Sequence, residues 1–448
     1  MKVVEVCRVT PIPSSATSTS LPLTFFDVFW LRVSPIRCLF FYETSHPSTT
    51  FLEEVLPKLK HSLSLTLHYY LPLTGNLTWL PDSDKPITQY VEGDDALSLT
   101  IAVSEADFYY LSSNSSREFK EIQPFVPNLP ASHTRVPVMT LQITLFPNAG
   151  FSIGYTTHHG VLDGKTAALF MHSWASICRR SGDSTLMPEL TPCYDRTLID
   201  DPNDLERNNL DFVWKYIEPR NKSLMILNAN AQPDAMICTF QLTRANIELI
   251  KKRVNAQWQE KYKHKLAMHV STFTITSAYV WVSLVKARKI RTGKVHLGFS
   301  VDCRARLEPP IPSTYFGNCI SGCFIDADSY DLIGEDGVAM AAKAIGEAIE
   351  GLNDGILDGV ELAKLPFMDM DRLFSIASSP RFELYKTDFG WGKPKKVEMT
   401  SIDKNGAFSL FDSRDGNGGL EIGIMLKKQE IKAFASHFAS GLEVEKMQ

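Results

Sequence analysis

A predicted β-hairpin that leads directly into a loop and an amphipathic helix constrains the fold of this chain most strongly. Apolar residues alternate with small or polar ones over residues 138–145 and 151–155, and the turn sequence PNAG separates the two runs. This pattern predicts two antiparallel strands. The second strand runs into the segment THHGVLDG, and apolar residues at helical spacing follow over residues 165–179. The succession predicts a mixed α/β fold with the loop at the C-terminal end of a strand.

Further helix and strand patterns lie on both sides of this unit. Helical spacing predicts helices over residues 51–70 and 337–352. A long apolar helix is predicted to begin at Ser271 or Thr272, and clean alternation predicts a strand over residues 419–426. Strands and helices therefore alternate throughout the chain, as in a mixed α/β protein.

The pattern weakens between residues 181 and 235, where the sequence becomes rich in Pro, Asp and Asn. We interpret part of this segment as a long crossover between two halves. The chain of 448 residues is long enough for two or three domains. We predict an N-terminal domain over residues 1–190, a crossover loop over 191–235 and a C-terminal domain over 236–448.

The composition is that of a globular protein. Hydrophobic residues make up 44% and charged residues 22% of the chain, and the net charge is −5. Disorder and a general attraction to nucleic acid are therefore not expected. Charged residues interrupt the apolar stretch 25–41, which argues against a membrane span, and no signal peptide is recognisable. We predict a cytoplasmic protein that binds neither nucleic acid nor membrane.

The cysteines do not indicate a metal site. The eight cysteines are scattered, and the closest pair, Cys319 and Cys323, has no second pair downstream to complete a zinc site. The H-E-x-x-H pattern is also absent from the sequence. We predict that no metal is bound and that the cysteines are reduced packing residues.

The segment HHGVLDG places His159 and Asp163 four residues apart, between Gly160 and Gly164. A neutral imidazole at the end of a strand is suited to take a proton from an alcohol or an amine, and Asp163 would orient it or anchor the loop. The alternative is an ordinary loop histidine beside a turn-forming Asp-Gly pair. The chain contains no P-loop or G-x-G-x-x-G fingerprint.

Three motifs carry a resemblance to a known family. His159–Asp163 reads H-x-x-x-D, Tyr315–Cys319 reads YFGNC, and Asp388–Gly392 reads DFGWG. The stretches 62–75 and 302–306 also fit in order and spacing. Together they resemble the plant BAHD acyl-CoA-dependent acyltransferases over nearly the whole chain. The YFGNC motif is typical of the branch that acylates anthocyanins and other phenolic glycosides.

The resemblance implies two chloramphenicol-acetyltransferase-like α/β domains, joined by the crossover loop, with an active-site channel between them. His159 would act in this channel as the general base that takes the proton of the acceptor hydroxyl. The hydroxyl would then attack the thioester of acyl-CoA in a ternary complex, without an acyl-enzyme. Asp163 would point away from the substrates and pair with Arg304, which holds the loop. The family is usually monomeric.

The resemblance also assigns roles to the other two motifs. Asp388, Gly390, Trp391 and Gly392 would fix a turn near the CoA side, outside the chemical centre. The YFGNC motif at 315–319 would be structural and lie near the wall of the channel.

The segment HHGVLDGKT resembles malonyltransferases that act on phenolic glucosides, so malonyl-CoA is the favoured co-substrate and no bound cofactor is expected. A malonyl pocket should hold a cation, and Arg179 and Arg180 are candidates. Their alternative role is that of favourable charges at a helix C-terminus. Lys393, Lys395 and Lys396 are candidates for contacts with the CoA phosphates, or else form a solvated charge run.

Three functions stay open at this point. The first is transfer of malonyl to a sugar hydroxyl, the 6-position, of a flavonoid or other phenolic glucoside. The second is a hydroxycinnamoyl-CoA-dependent acyltransferase of the same fold, whose uncharged acyl group would prefer an apolar pocket. The third belongs to another class and is a catalytically silent relative that binds phenolic compounds.

Overall fold

The computed structural model of the protein describes most of the chain. The described residues are 1–12, 17–180, 183–201, 204–213, 223–225, 234–261, 270–352, 355, 357, 369–402 and 406–443. Parts of the predicted crossover, 191–235, lie outside the described residues. Its predicted boundaries therefore stay a prediction.

The described residues form strands and helices in alternation. The strands are β1 Lys2–Val9, β2 Thr19–Pro22, β3 Ile36–Glu43, β4 Asn76–Thr78, β5 Ile87–Tyr90, β6 Leu97–Val103, β7 Arg117–Glu118, β8 Arg135–Pro137, β9 Met139–Phe146, β10 Gly150–Thr157, β11 Ala235–Leu242, β12 Lys294–Asp302, β13 Ile320–Asp328, β14 Leu373–Ala377, β15 Lys396–Met399, β16 Ala407–Asp412 and β17 Leu420–Lys427. The α-helices are α1 Phe25–Val28, α2 Ser48–Thr50, α3 Leu56–Tyr69, α4 Phe108–Leu111, α5 Phe119–Ile122, α6 Gly164–Arg179, α7 Leu205–Phe212, α8 Arg244–Lys261, α9 Thr272–Ala287, α10 Ser329–Ile333, α11 Gly337–Gly351 and α12 Lys428–Ser440.

The first large sheet has the order β1-β6-β9-β10-β3-β15. Its centre is the predicted hairpin, in which β9 and β10 pair antiparallel with Phe151 opposite Leu145. Every residue of both strands is buried, because both faces of this part of the sheet are covered by other elements. The predicted hairpin and the helix that follows it are confirmed.

The second large sheet has the order β13-β12-β14-β16-β17-β11-β7. Its helices include α9, whose residues are almost all buried and whose N-cap, Ser271, accepts a hydrogen bond from the Thr274 amide. The apolar helix predicted at Ser271 or Thr272 is thus confirmed. Each large sheet carries its own apolar core, and the predicted mixed α/β class with two domains is confirmed.

The two halves exchange a strand, which the sequence did not predict. The two-residue strand β7 comes from the N-terminal half but pairs with β11 in the second sheet. Strand β15 comes from the C-terminal half but pairs with β3 in the first sheet. The exchanged strands are joined by a buried ion pair, with Arg117 Nη2 at 2.8 Å from Glu398 Oε1. The two domains therefore share hydrogen-bonded strands as well as packed surfaces.

One predicted helix differs from the structure. The continuous helix predicted over 51–70 begins instead with a π-helical segment, Phe51–Val55, before α3. Pro57, in the first turn of α3, has no backbone N–H to bond back to the preceding turn, so a regular α-helix cannot run through this point.

A small sheet completes the fold, with the order β2-β5-β4-β8. None of the helices in the described ranges combines the length and the apolar character that a membrane span requires.

Candidate active site

The loop with the H-x-x-x-D motif lies at the junction of the two domains. It follows β10 of the first sheet and ends at Asp163, which is the N-cap of α6. The Asp163 Oδ1 accepts a hydrogen bond from the Thr166 amide at 2.9 Å. An aspartate at this position accepts a hydrogen bond from a free amide in the first turn of the helix. Asp163 therefore determines where the loop ends and α6 begins.

The structure brings Asp163 and Arg304 together. Arg304 Nη1 lies 2.9 Å from Asp163 Oδ2, and both side chains are only 1% exposed. Burial by itself would lower the pKa of Arg304, but the adjacent Asp163 carboxylate raises it above its ordinary value. Arg304 follows β12 of the second sheet, so this ion pair connects the loop to the opposite domain.

The YFGNC motif, residues 315–319, lies directly against this ion pair. Arg304 Nη2 donates to the carbonyl oxygens of Tyr315 at 3.1 Å and Gly317 at 3.0 Å. The Cys319 amide donates to Asp163 Oδ2 at 3.2 Å. The resemblance predicts only a structural role near the channel wall for this motif. The structure shows that it supplies hydrogen-bond partners to both members of the ion pair.

The two adjacent histidines have different environments. His158 is completely buried, and its Nδ1 accepts a hydrogen bond from the Gly160 amide at 3.1 Å. Burial and the neighbouring His159 lower the pKa of His158 to about 3, so this imidazole is neutral at physiological pH and a weak base. His159 is partly exposed, and of the two it is the one that a substrate can reach.

The backbone of His159 is held from the second domain by Asn318. The buried Asn318 side chain donates through Nδ2 to the His159 carbonyl oxygen at 2.8 Å. The side-chain Nδ2 and the backbone amide of Asn318 also both donate to Asp27 Oδ1, each at 2.9 Å. The completely buried Asp27 carboxylate therefore anchors Asn318, and through it the residue predicted to be the base.

The ring of His159 lies flat against the indole of Trp30. The ring centroids are 4.1 Å apart and the planes differ by 8°. Trp30 belongs to the 3₁₀ helix Phe29–Arg32, which follows α1 directly. A glycine suits position 160 beneath this helix, since a Cβ there would make tight contacts, 3.1 Å from the Leu31 Cα and 3.2 Å from the His158 ring.

Sequence reasoning missed Asp27 and Trp30 as parts of the site, and it included Asn318 only as a member of the YFGNC motif. One signal was present, because Asp27 interrupts an otherwise apolar stretch and a buried carboxylate needs several hydrogen-bond donors. The contacts of Trp30 and Asn318 with His159 join residues far apart in the chain, so no local pattern indicates them.

The DFGWG motif forms a closed turn, and its place near the CoA side stays a prediction. Asp388 Oδ1 accepts hydrogen bonds from the amides of Gly390 at 2.8 Å and Gly392 at 3.0 Å. Both glycines have positive φ angles, 109° and 97°, which favour glycine. Trp391 lies beneath the Lys58 ammonium, 5.2 Å from the ring centroid. Gly390 packs near the Cα of Arg179, so the motif lies at the C-terminal end of α6, away from His159.

The structure does not place Arg179 and Arg180 where a malonyl carboxylate would bind. Helix α6 has 16 residues, so its C-terminal end lies about 22 Å from the end next to His159. Arg180 pairs with Asp183 at 3.0 Å and also donates to the Thr185 carbonyl oxygen. A malonyl carboxylate is only a few bonds from the reacting carbonyl, so this separation argues against the prediction that these arginines bind it beside His159. Their alternative role at a helix C-terminus fits their position.

Of the three lysines after the DFGWG motif, Lys396 differs from the prediction, whereas for Lys393 and Lys395 it stays a prediction. Lys396 is 2% exposed, and its Nζ lies 2.8 Å from Asn114 Oδ1 and 3.1 Å from Glu421 Oε2. Burial lowers the pKa of Lys396 although Glu421 opposes this effect. Lys395 pairs with Glu43 at 2.9 Å, whereas Lys393 is exposed. Lys396 is therefore a structural residue and not a candidate for binding CoA phosphates.

Lys396→Met should lower the free energy of unfolding by about 3–5 kcal/mol, because the buried Glu421 carboxylate loses this counter-charge and keeps the neutral donors Tyr385 and Gln241. Lys395→Met is the matched control, since it breaks a more exposed pair and should cost less than about 1 kcal/mol. Both changes are measured by chemical denaturation. Unchanged stability of Lys396→Met, together with a raised KM for acyl-CoA, would restore the phosphate-binding role.

The part of the chain that the structure describes contains no group of three or more His, Cys, Asp or Glu side chains able to hold a metal ion.

Comparisons with known proteins extend over the whole chain. The sequence model of the Transferase family matches residues 2–440. Phenolic glucoside malonyltransferase 2 of Arabidopsis thaliana is 40% identical over 458 residues, which cover 99% of each chain. Agmatine coumaroyltransferase of the same species is 36% identical over 456 residues, which cover 98% of each chain. The crystal structure of vinorine synthase is 18% identical, with a TM-score of 0.72 over 98% of each chain, and shows the same fold.

Proposed function

Because this chain belongs to the Transferase family of BAHD acyl-CoA-dependent O-acyltransferases, we propose that it transfers malonyl from malonyl-CoA to a sugar hydroxyl of a phenolic or flavonoid glucoside. The 6-hydroxyl is the favoured position. The observation that carries this proposal is a partly exposed imidazole, His159, on a loop that buried groups of both domains hold in place. The malonyl donor and the glucoside acceptor follow the name of a relative that is 40% identical over the whole chain.

In the proposed reaction, the neutral His159 imidazole removes the proton of the acceptor hydroxyl as its oxygen attacks the thioester carbonyl. The tetrahedral intermediate then expels the CoA thiolate, and the imidazolium returns its proton to this leaving group. The products are the ester and free CoA. In the proposed ternary complex both substrates bind beside His159 at the junction of the two domains, so no acyl-enzyme is needed. His158 does not compete as a base, since its pKa of about 3 leaves it a very weak one.

The remaining parts of the site would keep the imidazole in place. Asp163 and Arg304 fix the end of the loop, and Asn318 fixes the carbonyl of His159 itself. We further propose that the protein acts as a cytoplasmic monomer, with acyl-CoA as its co-substrate and no other cofactor.

A second candidate is transfer of a hydroxycinnamoyl group. Two observations favour it: a relative named agmatine coumaroyltransferase is 36% identical over the whole chain, and neither arginine predicted to bind the malonyl carboxylate lies beside His159. This candidate uses the same base and the same loop, and it differs only in the pocket for the acyl group.

A matrix of donors and acceptors separates these candidates. Malonyl-CoA, acetyl-CoA and coumaroyl-CoA are each incubated with a phenyl glucoside, a naphthol glucoside and a flavonol glucoside, and the products are identified by mass. We expect kcat/KM for malonyl-CoA to exceed that for acetyl-CoA by about tenfold or more, since a carboxylate that gains a charge-assisted hydrogen bond contributes roughly 1.5–3 kcal/mol.

Two results would contradict the malonyl proposal. A preference for coumaroyl-CoA would support the second candidate in its place. If no donor releases CoA with any acceptor, the result supports the catalytically silent relative. The purified protein must then unfold cooperatively on heating, which shows that it is folded.

A further inference from the structure

We propose that Trp30 is a positioning residue for His159, and that it sets the plane of the imidazole from which the proposed base acts. This inference rests on the proposed function of His159. Its basis is the parallel stack of the two rings, with 4.1 Å between centroids and 8° between planes.

A stacked indole restricts the torsion that matters most for a general base. The lone pair of an imidazole nitrogen lies in the ring plane, so it points at a substrate hydroxyl in only a narrow range of ring rotations. Rotation of the His159 ring out of the stack would push its edge toward the indole at a separation of 4.1 Å. Trp30 also covers one face of the ring, so a substrate approaches the free edge or the other face.

The indole can act in this way only if it is itself fixed. Trp30 follows α1, whose residue Asp27 accepts hydrogen bonds from the amide and hydroxyl of Thr24 at 2.9 and 3.0 Å. The same carboxylate receives two hydrogen bonds from Asn318, which in turn holds the carbonyl of His159. One buried carboxylate therefore connects the segment that carries Trp30 to the backbone of His159.

Close backbone packing adds a second constraint on the same segment. Leu31, next to Trp30, lies so near Gly160 that a Cβ at Gly160 would be 3.1 Å from the Leu31 Cα. Leu31, which follows Trp30, thus packs against Gly160, which follows His159. The two backbones are held together just beside the stack, which leaves little freedom for the rings to separate.

Three variants test the proposal. Trp30→Leu removes the aromatic face, Trp30→Phe keeps a smaller one, and Trp79→Leu removes a buried indole that follows β4 and donates to the Ser83 carbonyl oxygen. We expect Trp30→Leu to lower kcat by about 10–100-fold, because misplacement of a catalytic group by 1 Å can cost roughly 100-fold. The KM for each substrate should stay within about twofold of the wild-type value. Trp30→Phe should recover most of the lost kcat, and Trp79→Leu should keep wild-type kcat.

The kinetic pattern separates positioning from acceptor binding. A positioning residue lowers kcat by the same factor for a small phenyl glucoside and for a flavonol glucoside, since the base serves both. A raised KM for the acceptor, or a loss that depends on the aglycone, would overturn the proposal in favour of direct acceptor contact. Equal losses in Trp30→Leu and Trp79→Leu would overturn it in favour of general packing.

A readout that needs no turnover keeps this test separate from the proposed function. In protein labelled with ¹³C-histidine, the His159 ring signal is assigned by its loss in His159→Gln. The ring current of the indole should shift this signal, so it should move in Trp30→Leu and move less in Trp30→Phe. If the His159 signal is the same in Trp30→Leu and in the wild type, the stack is refuted. If the signal differs between them but the wild-type protein transfers no acyl group, only the proposed function is refuted.

Discussion

His159→Ala should lower the rate of acyl transfer by about 10²–10⁴-fold, the range that positioned general bases contribute, while the unfolding temperature stays close to that of the wild type. The side chain is partly exposed at the end of β10, so its removal leaves no large buried cavity. The structural groups that hold the loop bond to the backbone of His159 and to Asp163, and these contacts survive the substitution.

The measurement is CoA release with malonyl-CoA and a phenolic glucoside, alongside thermal unfolding of the same preparations. His61→Ala is the matched control, because it removes an exposed histidine from α3 and should leave the rate unchanged. Wild-type turnover in His159→Ala would remove this residue from the mechanism.

Arg304→Met should affect both stability and activity. The change removes the guanidinium that faces Asp163 and leaves a carboxylate buried with amide donors only. Breaking a buried ion pair by removing one partner costs about 3–5 kcal/mol. We expect kcat to decrease together with the free energy of unfolding, since Arg304 connects the loop of the first domain to the YFGNC segment of the second.

Two companion variants make this prediction specific. Asp163→Asn retains an oxygen for the helix cap but leaves Arg304 without its buried counter-charge, so it should lose stability and activity in the same way. Lys165→Met is the control for stability, since it breaks a partly exposed pair with Asp302 and should cost less than about 1 kcal/mol. Full activity of Arg304→Met or Asp163→Asn at an unchanged unfolding temperature would refute the anchoring role.

The parts of the fold that could be predicted from the sequence are those that local patterns define. The alternation in β9 and β10, the helical spacing in α6 and the serine before α9 each identify an element within a few residues. The pairing of Asp163 with Arg304 lies beyond local patterns, and the resemblance to a family suggested it.

The parts that could not be predicted depend on distant partners. Strands β7 and β15 have two and four residues, too few for a periodic pattern, and their pairing with the opposite domain is set by tertiary contacts. Lys396 looks like part of a solvated charge run, because nothing near it in sequence shows that Glu421 will be buried beside it.

The site shows the same division. His159 and Asp163 could be identified from their motif, whereas Trp30 and Asn318 reach His159 only through the folded chain. The stack of Trp30 on His159 joins residues of two separate segments. A tryptophan inside the apolar stretch 25–41 gives no indication in the sequence of that contact. The sequence therefore predicts part of the chemistry of the loop, but it does not predict the geometry of the loop.

A single-turnover measurement tests the central claim most directly. Wild-type protein and His159→Gln are each mixed with malonyl-CoA and a phenolic glucoside, quenched at intervals, and analysed for free CoA, acylated glucoside and the mass of the intact protein. We expect the wild type to form CoA and malonylated glucoside in equal amounts with no change in protein mass, and His159→Gln to form neither at a comparable rate. An acylated protein intermediate, or equal rates for the two proteins, would contradict this expectation.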